Sequence, residues 1–288
     1  MKDTGGYRFV LGKYISVWYR DDEFHMMSIY GGKGKGKTTY SCKVGVDVLS
    51  HGQWSKDDWD VVWERLVFPP TEFIDKLNSI KEGERLEFLI WDDAGLWLNA
   101  LDWHDPFVQA VQKYLNVART DMACLLMTTP NISQVFRRIW EMESDEIYKV
   151  HIRKDMKIGR GSKKQLADGT WKDYKYREAR IYHQFILPDG KISVPNKPDV
   201  DRFSALMPDD FYKRYKPYRE RYAYIAKQLI RYSLERRVET AKKEGRVIPS
   251  MMALDLANEG KDEKAEKEGR ATDDLKLREF IEEAGVDV

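Results

Sequence analysis

Residues 25–39 read HMMSIYGGKGKGKTT, an apolar run followed by Gly31-x-x-x-x-Gly36-Lys37-Thr38. The pattern G-x-x-x-x-G-K-[ST] constrains the fold because it works only between a buried strand and a helix. Met26 to Tyr30 supplies the strand, and Thr38 to Leu49 can form the helix. Glycines let the backbone curl until successive N–H groups point inward at a phosphate, and the following helix adds its positive N-terminal end. On this reading Gly31, Gly32, Lys33, Gly34, Lys35, Gly36, Lys37, Thr38 and Thr39 surround a nucleotide. Lys37 reaches the β- and γ-phosphates, and the Thr38 hydroxyl sits on Mg²⁺. The competing explanation, a basic Gly/Lys linker, requires neither the strand nor the partner motif downstream.

That partner is Leu86-Glu-Phe-Leu-Ile-Trp-Asp-Asp-Ala-Gly95. An apolar run ending in two carboxylates reads as a buried parallel strand whose acids emerge at its C-terminal edge, where ligands bind in open α/β sheets. Asp92 is expected to hold Mg²⁺ and Asp93 to orient the attacking water. Asp93 has a second reading, as a cap for the segment beginning at Ala94. The two motifs together point to ATP and Mg²⁺ as ligands.

Charged residues make up 34% of the 288, yet the net charge is only +1, so the overall balance selects no partner. Cys42 and Cys124 are too few for a disulfide framework and lack metal spacing. The histidines at 25, 51, 104, 151 and 183 are scattered, and no metal beyond Mg²⁺ is expected. No apolar leader and no run near the ~18–20 apolar residues of a membrane span is present. The expectation is a cytoplasmic chain in a reducing interior, and abundant Lys and Glu lean towards heat adaptation.

Along the chain, residues 7–19 (YRFVLGKYISVWY) and 60–68 read as strands, with a turn at 20–23. Thr71 opens a helix with Gly83 as its C-terminal cap. Pro106 to Arg119 is a helix with Phe107, Ala110, Val111, Tyr114 and Leu115 on one face. Met122 to Thr129 is a buried strand, Ile132 to Met142 a helix and Glu146 to Ile152 a strand. This alternation predicts an α/β fold, a parallel sheet flanked by helices with right-handed crossovers. Thr128 and Thr129 end the strand that follows the acids. They are either plain strand formers or, by resemblance to the branch of P-loop ATPases with an additional strand, polar sensors of the phosphate site, with Thr129 assigned that role.

After residue 145 the character changes. Arg153, Lys154, Lys157, Arg160, Lys163 and Lys164 crowd around two glycines, and Trp171 to Phe185 alternates like a strand before a turn at Pro188-Asp189-Gly190. This is a β-hairpin extension whose basic loop suits phosphate backbones, or an ordinary solvated hairpin. Pro208 to Arg246 reads as a helical C-terminal segment with Tyr212, Tyr215, Tyr218, Tyr222 and Tyr224. Its twelve Lys/Arg against four Glu from Phe211 onwards suit nucleic acid, but the tyrosine spacing fits packing on a core or neighbour better. From Asp255 twelve acids face six bases, so the tail can serve as a contact for another copy or a partner protein. The expected division is 1–145 for the core, 146–207 for the hairpin extension completing it, 208–250 for the helical segment and 251–288 for a charged linker and acidic helix.

Residues 26–140 resemble the HerA/FtsK superfamily of DNA-translocating P-loop ATPases, in the branch with an additional strand, including zonula-occludens-toxin-like and viral packaging-type members. The resemblance is carried by Gly31 to Thr38, by Ile90-Trp-Asp-Asp-Ala-Gly95, and by Ala118-Arg-Thr-Asp-Met-Ala-Cys-Leu-Leu-Met-Thr-Thr-Pro-Asn131. It implies an additional strand between the loop strand and the Asp strand, assembly into a ring, action on DNA, and Arg119 as a finger into the neighbouring subunit's site. Two departures stand out: Asp93 where the family usually has Glu, and Thr128-Thr129-Pro130 where it often has Gln. Partition-type ATPases, with a signature lysine five positions before the invariant one, are disfavoured because Gly32 stands there.

The leading expectation is thus an oligomeric ATPase acting on nucleic acid in replication, packaging or transfer. An AAA+-like assembly switch or initiator, a virion morphogenesis ATPase and, lastly, a nucleotide kinase remain open. Arg137-Arg138 alone do not make a kinase lid.

Overall fold

A computed structural model describes residues 6–135, 139, 146–154, 163–165, 171–173, 176–187, 189, 191–193, 197–224 and 227. The elements in order are α1 (Val10–Arg20), β1 (His25–Tyr30), α2 (Lys37–Ser50), α3 (Lys56–Glu64), β2 (Leu66–Val67), α4 (Pro70–Asn78), β3 (Leu89–Trp91), α5 (Pro106–Leu115), β4 (Cys124–Thr129), β5 (Glu146–Lys154), β6 (Lys163–Gln165), β7 (Trp171–Asp173), β8 (Tyr176–Phe185) and β9 (Asp199–Ser204). Seven strands form one sheet in the order β2-β3-β4-β1-β5-β8-β9. The first five in that order run parallel, whereas β8 is antiparallel to both β5 and β9. The fold is therefore the α/β P-loop type anticipated from the sequence, with β4 inserted between the loop strand and the Asp strand. Strands β6 and β7 pair separately.

Position in the sheet explains the strand compositions. β4 is buried at every residue, as a central parallel strand should be, and β3 is likewise closed on both faces. A cluster including Phe73, Leu89, Trp91, Val111, Leu115, Leu125 and Met127 fills the space beneath α4 and α5. Phe73 and Trp91 stack at 4.2 Å. On α5, Val108, Val111 and Leu115 are buried, whereas Ala110, expected on that face, is exposed.

Two expected strands are helices. Residues 10–20 form α1, burying Leu11, Ile15 and Trp18 at helical spacing. Its N-terminus is capped by distant carboxylates rather than by a local side chain. Asp201 accepts from the N–H groups of Val10 (2.8 Å) and Leu11 (3.4 Å), and Asp47 accepts from those of Arg8 and Phe9. These bonds satisfy donors a helix start leaves open, and β-rich local composition could not reveal them. Residues 56–64 form α3, set by a capping box between Ser55 and Asp58, which leaves only Leu66–Val67 as strand. Helix α4 stops at Asn78 with Ser79 as its cap, so Gly83 belongs to a later turn.

Asp201 is the most consequential buried acid away from the carboxylate strand. Burial pushes its carboxyl up to about 6, against hydrogen bonds from Tyr40, Val10 and Leu11 that favour the ionised form. A carboxyl raised above its unfolded value binds more protons folded than unfolded, so its contribution to stability falls as pH rises between about 4 and 6. The stability advantage of wild type over Asp201→Asn is expected to be about 2 kcal/mol larger near the bottom of that window than above it. Urea unfolding at both ends of the window measures this, and a difference independent of pH would contradict it.

By contact density the chain divides into Met1–Phe211 and Tyr212–Val288. Within the first unit Phe211 packs edge-on against Trp59 and Trp63. Residues 209–224 are helical. Tyr215 and Tyr222 are buried, while Tyr212 and Tyr224 are half exposed. The expected helix over 132–142 begins with a turn at Ile132–Gln134, and most of its remainder lies outside the described residues. So do the basic loop at 155–162 and the acidic tail. Among the described residues no helix is long and apolar enough to cross a membrane.

Candidate nucleotide site

The loop joins the C-terminal end of β1 to the first turn of α2. Gly31 has φ +145°, and a Cβ there would lie 2.7 Å from the Ile152 carbonyl of β5, so only glycine fits. Gly36 is left-handed (φ +91°) and turns the chain into α2. The N–H of Lys35 donates to the Gly32 carbonyl at 3.3 Å, tightening the loop. Gly32, Lys33 and Gly34 are exposed at its crest. Lys37 folds back and is nearly buried, its Nζ donating to the Gly31 carbonyl at 3.0 Å. Thr39 is buried in the first turn of α2.

Asp92, one residue past β3, is fully buried. Its Oδ1 accepts from the Thr38 hydroxyl at 2.7 Å and from the Thr128 hydroxyl at 2.6 Å. The Thr128 oxygen in turn accepts from the N–H of Asp93 at 2.9 Å. Asp93 is left-handed (φ +48°), a conformation uncommon outside glycine, asparagine and aspartate. One hydroxyl on the inserted strand thereby fixes both carboxylate-bearing residues of the neighbouring strand.

Thr128, and not Thr129, the residue assigned the sensor role from sequence, is the threonine that bonds to Asp92. Successive residues of a strand point to opposite faces, and Thr129 turns its hydroxyl to the Asn131 carbonyl at 3.0 Å and packs against Gly95. Replacing Thr128 by Val removes the hydroxyl that accepts from the Asp93 N–H and that donates to Asp92. It is expected to lower kcat for nucleotide hydrolysis about 10–100-fold with little change in KM, whereas Thr129→Val changes kcat less than about 3-fold. Steady-state kinetics of both variants separates the two.

Arg119 is not brought to this site. It lies in the turn Ala118–Thr120 before β4, at the sheet edge opposite the loop, with a side chain 66% exposed. Its Nη1 lies 3.9 Å from Asp22. Arg85 anchors that turn by donating to the carbonyls of Arg119, Tyr19 and Glu23.

Several residues next to the loop carry no sequence motif. Arg177 of β8 is buried, and its Nε donates to the Lys35 carbonyl at 3.2 Å. Phe203 and Ala205 flank Gly36. Lys43 of α2 donates to the Ser204 carbonyl at 2.6 Å, and burial pushes its ammonium down to about 8. Burial and the Asp92 charge push the Cys42 thiol well up, which suppresses its thiolate. The antiparallel strands beyond β5 therefore wall one side of the loop, through contacts invisible at any short spacing.

No protein-family profile matches the chain. It is 26% identical over 216 residues to the "Uncharacterized protein B-251" of Sulfolobus spindle-shape virus 1, covering 74% of this chain and 80% of that protein. Among solved structures it is similar to the N-terminal domain of zonular occludens toxin from Neisseria meningitidis, with TM-score 0.34 and 14% identity over 66% of this chain and 98% of that one. It is also similar to the genome packaging NTPase B204 from Sulfolobus turreted icosahedral virus 2 in complex with ATP-gammaS, with TM-score 0.33 and 12% identity over 61% and 97%. Structural likenesses at TM-scores of 0.34 and 0.33 carry no argument. The loop, the strand order and the Thr38–Asp92–Thr128–Asp93 network together define the chain as an α/β protein of the P-loop fold with a candidate nucleotide site.

Proposed function

We propose that the chain is a Mg²⁺-dependent ATPase that self-assembles and acts on nucleic acid. The observation that carries the reading is the buried network joining Thr38, Asp92, Thr128 and Asp93 beside Lys37. Thr38 and Asp92 present two hard oxygens 2.7 Å apart at a helix N-terminus, a donor pair that fits Mg²⁺ shared with phosphate oxygens. When bound, the ion would neutralise charge on the β- and γ-phosphates. Lys37 and the loop N–H groups bind the same phosphates and stabilise charge as the bridging oxygen leaves. Asp93 orients a water towards the γ-phosphorus. The water–phosphorus bond forms as the bond to the bridging oxygen breaks, giving ADP and phosphate, with the water's proton passing to the phosphate and on to solvent. Thr128 holds Asp93 at its backbone so that this carboxylate has a fixed origin.

Arg119 acts in trans on this reading, stabilising the transition state in a neighbouring subunit from the edge opposite its own loop. The relative in a Sulfolobus virus supports a viral setting. Asp93, one methylene shorter than Glu, favours as second reading an assembly switch with slow turnover.

The test is ATP hydrolysis with and without DNA over a range of salt, alongside sedimentation with a non-hydrolysable analogue. Stimulation by DNA together with ATP-dependent assembly is expected. Assembly with near-zero turnover would select the switch, and turnover indifferent to DNA at every salt would remove the nucleic-acid role.

A further inference from the structure

The strands beyond β1 have two unlike faces. One is closed: Val150, Ile152, Ala179, Ile181 and Phe203 are buried, and Tyr148 packs against Trp18. The alternation of β-strands sends the intervening residues to the other face. There Lys149, His151 and Arg153 of β5 stand in register with Tyr182, Arg180 and Glu178 of β8, and the latter two with Val200 and Arg202 of β9. Arg153, Val200 and Arg202 are exposed, and the remaining five are half-exposed.

Among these eight side chains four are cations and one is an acid, Glu178, which accepts from Arg180 at 2.5 Å. The excess is felt locally: burial first, then Arg153, Arg180 and Lys35, hold His151 below the usual imidazole range. Arg153, Glu178 and Arg202 form one cross-strand row, with the two outer cations about 10 Å apart at the usual strand spacing. Aromatic surface lies beside the cations. The His151 ring stacks on Tyr30 at 4.9 Å and 3°, and Tyr30 immediately precedes Gly31.

We infer that this open face of β5, β8 and β9 binds single-stranded nucleic acid, with Arg153, Arg202, Arg180 and Lys149 on the phosphates and Tyr182 as a stacking surface for a base. The charge excess matches a phosphate backbone, and a flat sheet with rings suits unstacked bases, whereas a duplex groove takes a helix or a two-stranded ribbon. A strand lying here ends against the residue that begins the nucleotide loop. The inference rests on the nucleic-acid reading above and gives it a location.

The experiment measures binding of the full chain to labelled oligothymidine, oligouridine and duplex DNA of about 20 nucleotides as salt is varied. In Arg153→Gln/Arg202→Gln, affinity for the single strands is expected to fall at least about 10-fold at low salt. The slope of log K against log salt should fall by about 1.4, two phosphate contacts' worth. Tyr182→Ala is expected to weaken binding about 5-fold or more without changing the slope. Both should bind a fluorescent ATP analogue as wild type does, which shows they are folded. Wild type that binds single strands while the double variant keeps affinity and slope overturns this inference alone. Variants that change only the oligomeric state make the face a subunit contact and overturn it too, as does tighter binding of duplex through the same residues. Wild type that binds no nucleic acid sinks the functional reading with it.

Discussion

Lys37→Ala is expected to reduce ATP hydrolysis about a thousand-fold or more and to abolish the thermal stabilisation that Mg-ATP gives. The ammonium is nearly buried and donates to the loop's own carbonyl at Gly31, so it is held against the loop where the proposed reading puts the phosphates. Removing it leaves the loop N–H groups to hold a triphosphate whose charge they neutralise only in part. Ligand at a hundred times Kd stabilises a protein by about 2.7 kcal/mol, and that increment, read as a shift in Tm with Mg-ATP, should vanish. The variant's own melting temperature without nucleotide should fall by only a few degrees, since one hydrogen bond from a charged group is worth about 1.5–3 kcal/mol. A variant that still shows the full nucleotide-dependent shift would mean the loop binds something other than a triphosphate, or binds it elsewhere.

Arg119→Ala is expected to cost about 10³–10⁵ in kcat, the range of an arginine supplied to a phosphoryl-transfer transition state, while leaving nucleotide affinity almost intact. The geometry makes the trans role separable from a structural one. Arg119 sits at the edge of the sheet opposite its own loop, and its exposed guanidinium lies 3.9 Å from Asp22, a surface pair of low worth. Mixing Arg119→Ala with Lys37→Ala provides the decisive measurement. An interface between a subunit with an intact loop and a neighbour with an intact arginine should regain activity, reaching about a quarter of wild type at equal ratios. Two variants that stay inactive when mixed, although they co-assemble, would show that Arg119 works within its own chain or not at all.

The loop and the Asp strand were legible because their chemistry depends on residues close together in sequence. Gly31 to Thr38 and Asp92-Asp93 each occupy a few consecutive positions, and the structure brings Thr38 and Asp92 within 2.7 Å. The choice between Thr128 and Thr129 was not legible, since it turns on strand parity and neighbours, and two adjacent threonines look alike in one dimension. Helix α3 carried a readable signal, the Ser55-to-Asp58 box, overshadowed by the valines and tryptophans after it. Helix α1 carried little beyond its spacing, because the groups that secure its first turn come from Asp47 and Asp201. Arg177, Phe203 and Ser204 were invisible for the same reason: their importance to the loop arises from a sheet order that no local pattern states.

The carboxylate of Asp201 that starts the first helix lies 191 residues downstream of Val10. Synthesis from the N-terminus therefore delivers the loop early and its lateral wall late. Until β9 has emerged, Val10 and Leu11 lack their acceptor, Lys43 lacks the Ser204 carbonyl, and Gly36 faces no Phe203. Contacts of such long sequence separation form slowly and late in folding. A fragment ending near residue 145 would contain every recognisable nucleotide motif and still present a frayed first helix and a loop open on one side. Completion of the wall beside the loop is thus timed by the last strand of the sheet.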